Sequence, residues 1–272
     1  MEPGPVKIAT WNVNGIRARD AQLRAWLEEE RPDVLCLQEI KAAPAQLPLW
    51  LCDLEGYWCR WHGERGYSGV ALHVRRDTFP EPPEYLHPSF DLEQRILVAR
   101  IGALTVASVY VPNGGRDLSA KLRFLDALAD FAAAHRAAEA PLVLCGDLNV
   151  TRSDRDVHPK ERRPRAVGQL PEERALLERL LAAGLVDVAR ALDPDNDRLF
   201  TWWAPWRDLR RRNIGWRIDY ILASPALAGR ARACVSQREV GTSDHAPVVA
   251  TFDLEADALR TGAGLRAEGV VG

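Results

Sequence analysis

The chain has 272 residues, 47% of them hydrophobic and 27% charged, and its 38 acidic and 36 basic side chains leave a formal net charge of −2. That balance supplies material for a sizeable core and excludes both a disordered chain and a uniformly basic nucleic-acid binder, while leaving a local basic face open. No run of about 18 apolar residues occurs, so no transmembrane helix and no membrane partner is expected.

Met1-Glu2-Pro3-Gly4-Pro5 does not open a secretory signal, which calls for a basic stretch and then an apolar one. Five cysteines are scattered without a CxxC pair, so a cysteine zinc site is not expected. Cys36 and Cys145 sit inside apolar runs and read as small buried hydrophobes. A reducing, cytoplasmic location follows, nucleoid-associated in a bacterium.

In chain order, Val6 to Trp11 reads as a buried strand. Residues 17–30 follow as a helix with Leu23, Trp26 and Leu27 on one face, ended with the help of Pro32. Residues 33–38, Val70 to Val74, Ile96 to Ile101 and Leu104 to Val111 are further strands, the last two joined at Gly102. Asp117 caps a helix over about 118–138, in which Leu122, Leu125, Leu128 and Ala132 share a face. Leu142 to Cys145 is the next strand. Pro171 starts a helix that Gly184 closes. Ile218 to Leu222, Ala231 to Val235 and Val248 to Phe252 complete the strands. Strands and helices alternate without a linker, which predicts one α/β domain over residues 6–253. Residues 254–272 read as a disordered tail.

Polar residues gather at the strand ends. Asn12 and Asn14 follow the first strand, Glu39 the second and Asp147 and Asn149 the strand at 142–145. Tyr110 ends its run, Asp219 opens another, and Asp244 and His245 precede the last. In an α/β sheet the strand ends on one rim converge, and ligand sites form there. Glu39 with an amide such as Asn14 offers hard oxygen ligands suited to Mg²⁺ or Mn²⁺. His245 is the histidine beside these acids, and Asp219 or Asp244 would fix its tautomer. Amides are not bases at neutral pH, so Asn12 and Asn149 would orient other groups. The chemistry indicated is metal-assisted hydrolysis.

These residues lie in seven ordered blocks: Thr10-Trp11-Asn12-Val13-Asn14-Gly15-Ile16-Arg17-Ala18, Leu37-Gln38-Glu39-Ile40-Lys41, Gly66-Tyr67-Ser68-Gly69-Val70, Tyr110-Val111-Pro112-Asn113, Gly146-Asp147-Leu148-Asn149, Gly215-Trp216-Arg217-Ile218-Asp219-Tyr220 and Ser243-Asp244-His245-Ala246-Pro247. Together they resemble the exonuclease III type of apurinic/apyrimidinic endonuclease, within the endonuclease–exonuclease–phosphatase superfamily, from about Val6 to Phe252. The resemblance implies a four-layer α/β sandwich of two packed mixed sheets flanked by helices. It implies Mg²⁺- or Mn²⁺-dependent cleavage of double-stranded DNA 5′ to abasic sites in base-excision repair, with 3′→5′ exonuclease and 3′-phosphatase or 3′-phosphodiesterase activity on blocked 3′ ends.

Carried over residue by residue, the resemblance makes Glu39 the main metal ligand. Asn14 stands where many members have Asp, and Asp244 and Asn12 complete the metal region. Asp147 would position or deprotonate the attacking water, Asn149 and Asn12 would orient it, and His245, held by Asp219, would bind the scissile phosphate. Either Asp147 or His245 is the base. Tyr110 would set a phenol against the phosphate. Arg17, Ala18, Gly66, Tyr67, Arg95, Asn113 and Arg116 match DNA-backbone contacts, and Trp202, Trp216 and Ile218 match the apolar walls of a pocket for a flipped-out abasic sugar.

Two loop stretches are locally basic, residues 152–165, with Arg162 and Arg163, and residues 207–217, with Arg217. Their nearness in sequence to Asn149 and Asp219 predicts phosphate contacts. Glu39-Ile40 replaces the more usual Glu-Thr, and the loop at 158–168 is Arg- and Pro-rich where some relatives carry asparagines. A monomer is expected. The competing readings are a nonspecific nuclease or another superfamily phosphatase, and a catalytically inactive DNA-binding relative.

Overall fold

The computed structural model describes residues 5–64 and 66–254, together with Thr261. Most of the tail predicted over 254–272 lies outside the described residues.

Twelve strands form two six-stranded sheets. The first contains β1 (Val6–Asn12), β2 (Val34–Gln38), β3 (Tyr57–Glu64), β4 (Tyr67–Arg75), β11 (Ala231–Ser236) and β12 (Val248–Phe252), in the order β11-β12-β1-β2-β4-β3. The second contains β5 (Glu84–Leu86), β6 (Ile96–Ile101), β7 (Leu104–Tyr110), β8 (Leu142–Asp147), β9 (Val186–Asp187) and β10 (Asp219–Ala223), in the order β5-β6-β7-β8-β10-β9. Each sheet has one parallel pair at its centre, β1 with β2 and β7 with β8, and antiparallel neighbours outside it.

Alternation along the strands sets the layers. Val6, Ile8, Val34, Cys36 and Leu72 face Leu97, Val106, Val143, Cys145 and Ile221 between the sheets. The alternate residues of the first sheet, Ala9, Trp11, Leu35 and Leu37, pack under α1 (Asp20–Glu30) through Leu23, Trp26 and Leu27. On the other side, Val109, Leu144, Tyr220 and Leu222 pack under α3 (Leu118–Ala137) and α4 (Pro171–Ala182) through Phe124, Leu125, Leu128, Leu177 and Leu180. Three helices of four or five residues, α2 (Leu49–Cys52), α5 (Val188–Leu192) and α6 (Pro225–Ala228), complete the set. The molecule is therefore the helix–sheet–sheet–helix sandwich that the resemblance implies.

The local signals hold where chemistry dictates them. Asp117 caps α3 by accepting the Ala120 amide at 2.8 Å, and Pro171 opens α4. The stretch read as a helix over 17–30 divides into a 3₁₀ turn, Ile16–Arg19, and α1, which ends where Arg31 takes a left-handed conformation before Pro32. The edge strands β3, β5 and β9 carry no clear apolar run and escape the sequence reading. Within α3, Lys121 is the buried member of its turn and Leu122 is half-buried.

Register brings the polar residues together. Asp147 lies beside both Tyr110 and Asp219 in the second sheet, and Asn12 lies beside Gln38 in the first. Gly146 makes the close approach possible: a Cβ there would meet the Val109 carbonyl oxygen at 1.9 Å.

Candidate active site

Both sheets present strand ends at the same rim, and the acid–amide cluster forms there. Chain reversal at the rim forces uncommon backbone. Asn14, Glu39, Lys41 and Asn149 all have positive φ, between 44° and 53°. Asparagine tolerates that region, but glutamate and lysine do so at a cost, and such strain collects at functional sites.

Asn12 is the hinge between the sheets. Its Nδ2 donates to Glu39 Oε1 and to Asp147 Oδ2, each at 2.9 Å. Its Oδ1 accepts the Asn14 amide at 3.0 Å. Asn12 thus spaces two carboxylates and faces them with its N–H groups. Asp147 also accepts the Asn149 backbone amide at 2.8 Å and its Nδ2 at 3.3 Å. Burial pushes the Asp147 carboxyl up to about 7, with Asp219 and Glu39 adding to the rise and His245 opposing it.

His245 faces Asp147 across 3.8 Å through Nε2. Its Nδ1 is held by both oxygens of Asp219, at 2.9 and 3.1 Å, and Thr201 Oγ1 donates to that carboxylate at 2.6 Å. Burial alone would lower the imidazole pKa, but the Asp219 and Asp147 charges raise it to about 10. His245 is thus an imidazolium at neutral pH, an N–H donor at both nitrogens. Tyr110 is buried beside Glu39 and Asp147, and burial with those two charges keeps its hydroxyl protonated.

Glu39 is held ionised. Burial would raise its pKa, but hydrogen bonds from Asn12 and Lys41 outweigh that. Lys41 Nζ bridges Glu39 Oε2 and Asn14 Oδ1, each at 2.6 Å. Two hard oxygens therefore converge on one positive charge, and this donor chemistry fits a small divalent cation bound by Glu39 and Asn14. Glu39, Asp147 and His245 also place one ligand atom each within 4.8 Å of the others, a second arrangement of donors suited to a cation. The Asp244 oxygens accept Asn14 Nδ2 at 2.8 Å and Trp202 Nε1 at 3.0 Å, which sets the Asn14 side chain beside this carboxylate.

Of the expected DNA contacts, Arg17, Ala18, Gly66, Tyr67, Asn113, Arg116, Arg162 and Arg163 are exposed. Trp202 and Trp216 meet edge to face at 5.4 Å, with Trp202 6.5 Å from His245, while Ile218 is buried behind them. Arg95 is 2% exposed, stacks over Tyr110 and Tyr67 and pairs with Glu93, so it props the two tyrosines. Arg217, expected among the phosphate contacts, is instead buried against Asp156 and Asp187. Arg210 is likewise taken up by the carbonyls of Arg238, Val240 and Ser243.

Three contributors escape the sequence reading. Thr201 shows no signal. Lys41 is visible only as the residue two past Glu39. Lys121 falls on the apolar helix face, which is its signal; its Nζ reaches the carbonyls of Asn113 and Asn149 and pairs with Glu173, both side chains fully buried.

Residues 9–245 match the Endonuclease/Exonuclease/phosphatase family. The chain belongs to this family. It is 34% identical over 253 residues to an exodeoxyribonuclease of Bacillus subtilis, covering 89% of this chain and 98% of that one. It is 36% identical over 256 residues to the DNA repair nuclease APEX1 of Danio rerio, covering 89% and 81%. An AP endonuclease from Archaeoglobus fulgidus superposes with a TM-score of 0.80 at 33% identity, covering 92% of this chain and all of the other. The Archaeoglobus structure shares the sandwich described above.

Proposed function

We propose that this chain is a divalent-metal-dependent DNA repair nuclease that hydrolyses the phosphodiester 5′ to an abasic site in duplex DNA. Exonuclease and 3′-phosphatase or phosphodiesterase action at blocked 3′ ends belongs to the same reading. The observation that carries it is the pair formed by Asp147 and His245. They lie 3.8 Å apart, and both are held above their ordinary values, Asp147 by burial and His245 by the Asp219 and Asp147 charges. That places a proton acceptor beside a proton donor.

Asp147 is the base. Held in place by Asn12 and Asn149, it takes a proton from the water that attacks phosphorus; the P–O3′ bond breaks and the departing O3′ takes a proton from solvent, leaving a 3′-hydroxyl and a 5′-phosphate. His245, protonated and fixed by Asp219, donates from Nε2 to the phosphate oxygen on which charge builds, and Tyr110 donates from its hydroxyl. Glu39 and Asn14 hold the cation, Mg²⁺ or Mn²⁺. When bound, it stabilises negative charge on the phosphate and leaving oxygens.

The exposed arginines Arg17, Arg116, Arg162 and Arg163 grip the backbone. The Trp202–Trp216 wall beside His245 takes the base-free sugar, since a stacked nucleotide would not fit a pocket closed by two indoles. The enzyme works as a monomer in the compartment that holds the chromosome.

A duplex with one synthetic abasic site, incubated with Mg²⁺, with Mn²⁺ and with EDTA beside an undamaged duplex, tests this. The expected result is a single metal-dependent cut 5′ to the lesion. Equal cutting of both duplexes would replace the reading with a nonspecific nuclease, and salt-sensitive binding without cutting would replace it with an inactive DNA-binding relative.

A further inference from the structure

At one edge of the sandwich, away from the acid cluster, two imidazoles and a carboxylate converge from both sheets. His62 lies on β3, and His87 and Asp91 lie on the connection from β5 to β6. One ligand atom of each lies within 4.8 Å of the other two. His62 Nε2 is 2.6 Å from Asp91 Oδ2, and the His62 and His87 rings are 4.2 Å apart. The Asp91 carboxylate is already aimed. Its Oδ1 accepts the amides of Arg95 at 2.8 Å and Ile96 at 3.1 Å, leaving Oδ2 turned toward the imidazoles. Carboxylates that ligate metals are oriented by such outer hydrogen bonds.

We propose that His62, His87 and Asp91 bind one Zn²⁺ ion at a site separate from the catalytic cluster. Two imidazole nitrogens and one carboxylate suit zinc, whereas Mg²⁺ takes oxygen donors and keeps its waters. Ligands about 2.0–2.1 Å from a tetrahedral ion stand roughly 3.4 Å apart. The His62–Asp91 pair therefore opens slightly and His87, which is exposed, swings in. The exposed side leaves the fourth position to water.

The ion's role is structural. Between Asp91 and Arg95 the chain passes through Glu93 and Gln94, both with positive φ, 56° and 55°. Ser68 of β4 donates to the Glu93 carbonyl, and Arg95 supports the Tyr67 and Tyr110 rings at 5.3 and 4.6 Å. Zinc would fasten this strained segment to β3 and so fix the base on which Tyr110 stands.

The test uses Zn²⁺ itself, added to the metal-free full chain in equilibrium dialysis and in thermal melts. Wild type, Glu39→Gln, His87→Ala and His62→Asn are compared. The expected result is one tightly held equivalent that survives Glu39→Gln and disappears in His87→Ala and His62→Asn, with a zinc-induced rise in Tm that follows the same pattern. His87 is exposed, so its variant should melt as wild type does without metal, which separates lost binding from lost folding. Zinc retained by His87→Ala but lost in Glu39→Gln would put the ion in the acid cluster and overturn the proposal. So would the absence of tight zinc binding in the wild type.

Discussion

His245 is fully enclosed yet charged, and Asp219 is the residue that makes this possible. Burial works against the imidazolium, and the bidentate carboxylate reverses that. The consequence for stability has a definite sign. The folded pKa lies above the unfolded one, so the Asp219–His245 contribution is fully present below about 6.5 and is lost as the pH climbs through about 10. In EDTA, the stability advantage of wild type over Asp219→Asn should therefore shrink steadily across that window, as read by urea unfolding at successive pH values. An advantage that grew with pH would mean that His245 is neutral. Asp147, an acid held up by burial, has the same sign in a lower pH window. The apo protein spends stability on ionising it, and stability from this group falls as the pH rises from its ordinary carboxylate range through about 7.

At the scale of elements, strand ends do the positioning, and buried ion pairs fasten the loops behind them. Lys121 on α3 and Glu173 on α4 join two helices while the lysine ammonium holds the carbonyls of Asn113 and Asn149. Removing one partner leaves a buried charge uncompensated. Lys121→Met should cost about 3–5 kcal/mol in chemical denaturation, and adding Glu173→Leu should recover only part of it, because the Gly168 and Leu170 amides then lose the oxygen they donate to. The double variant should nevertheless cut slowly, because Asn149 loses its support. Arg217→Met should be as damaging as Lys121→Met, since Asp156 and Asp187 would lose their shared partner. If Arg217 lay on the DNA face, Arg217→Met would instead weaken binding and leave stability alone.

The residues of the acid–amide cluster are legible because each stands next to an apolar strand run, where periodicity predicts a rim. The roles of Asn12, Asp244, Arg95 and Arg217 were not legible. Each is decided by a partner far away in the chain, Asp147, Trp202, Tyr110 and Asp187 respectively, and local sequence holds no record of that distance. Lys121 and Thr201 are the same case, with one polar side chain serving a remote loop. The edge strand β3 was hidden because its half-buried side chains alternate charged, aromatic and small residues without an apolar run.

For the whole molecule, a net charge of −2 means that attraction to DNA rests on where the charges lie. Arg95 and Arg217 are buried, so they add nothing to the charge that faces DNA. Binding to duplex DNA should fall linearly in log–log form with salt. Replacing Arg17, Arg116 or Arg163 with Ala should each reduce the slope by about 0.9 if the residue meets one phosphate. A slope untouched by all three would move the DNA path to another face. No helix among the described residues is long and apolar enough to cross a membrane.

The central claim is that Asp147 accepts the proton while His245 stays charged. The most direct test is single-turnover incision of a duplex with one abasic site by wild type and Asp147→Asn, with DNA affinity measured alongside. The predicted result is a rate lowered about 10²–10⁴-fold with affinity nearly unchanged. A variant that cut at the wild-type rate would contradict the account and return the proton to His245.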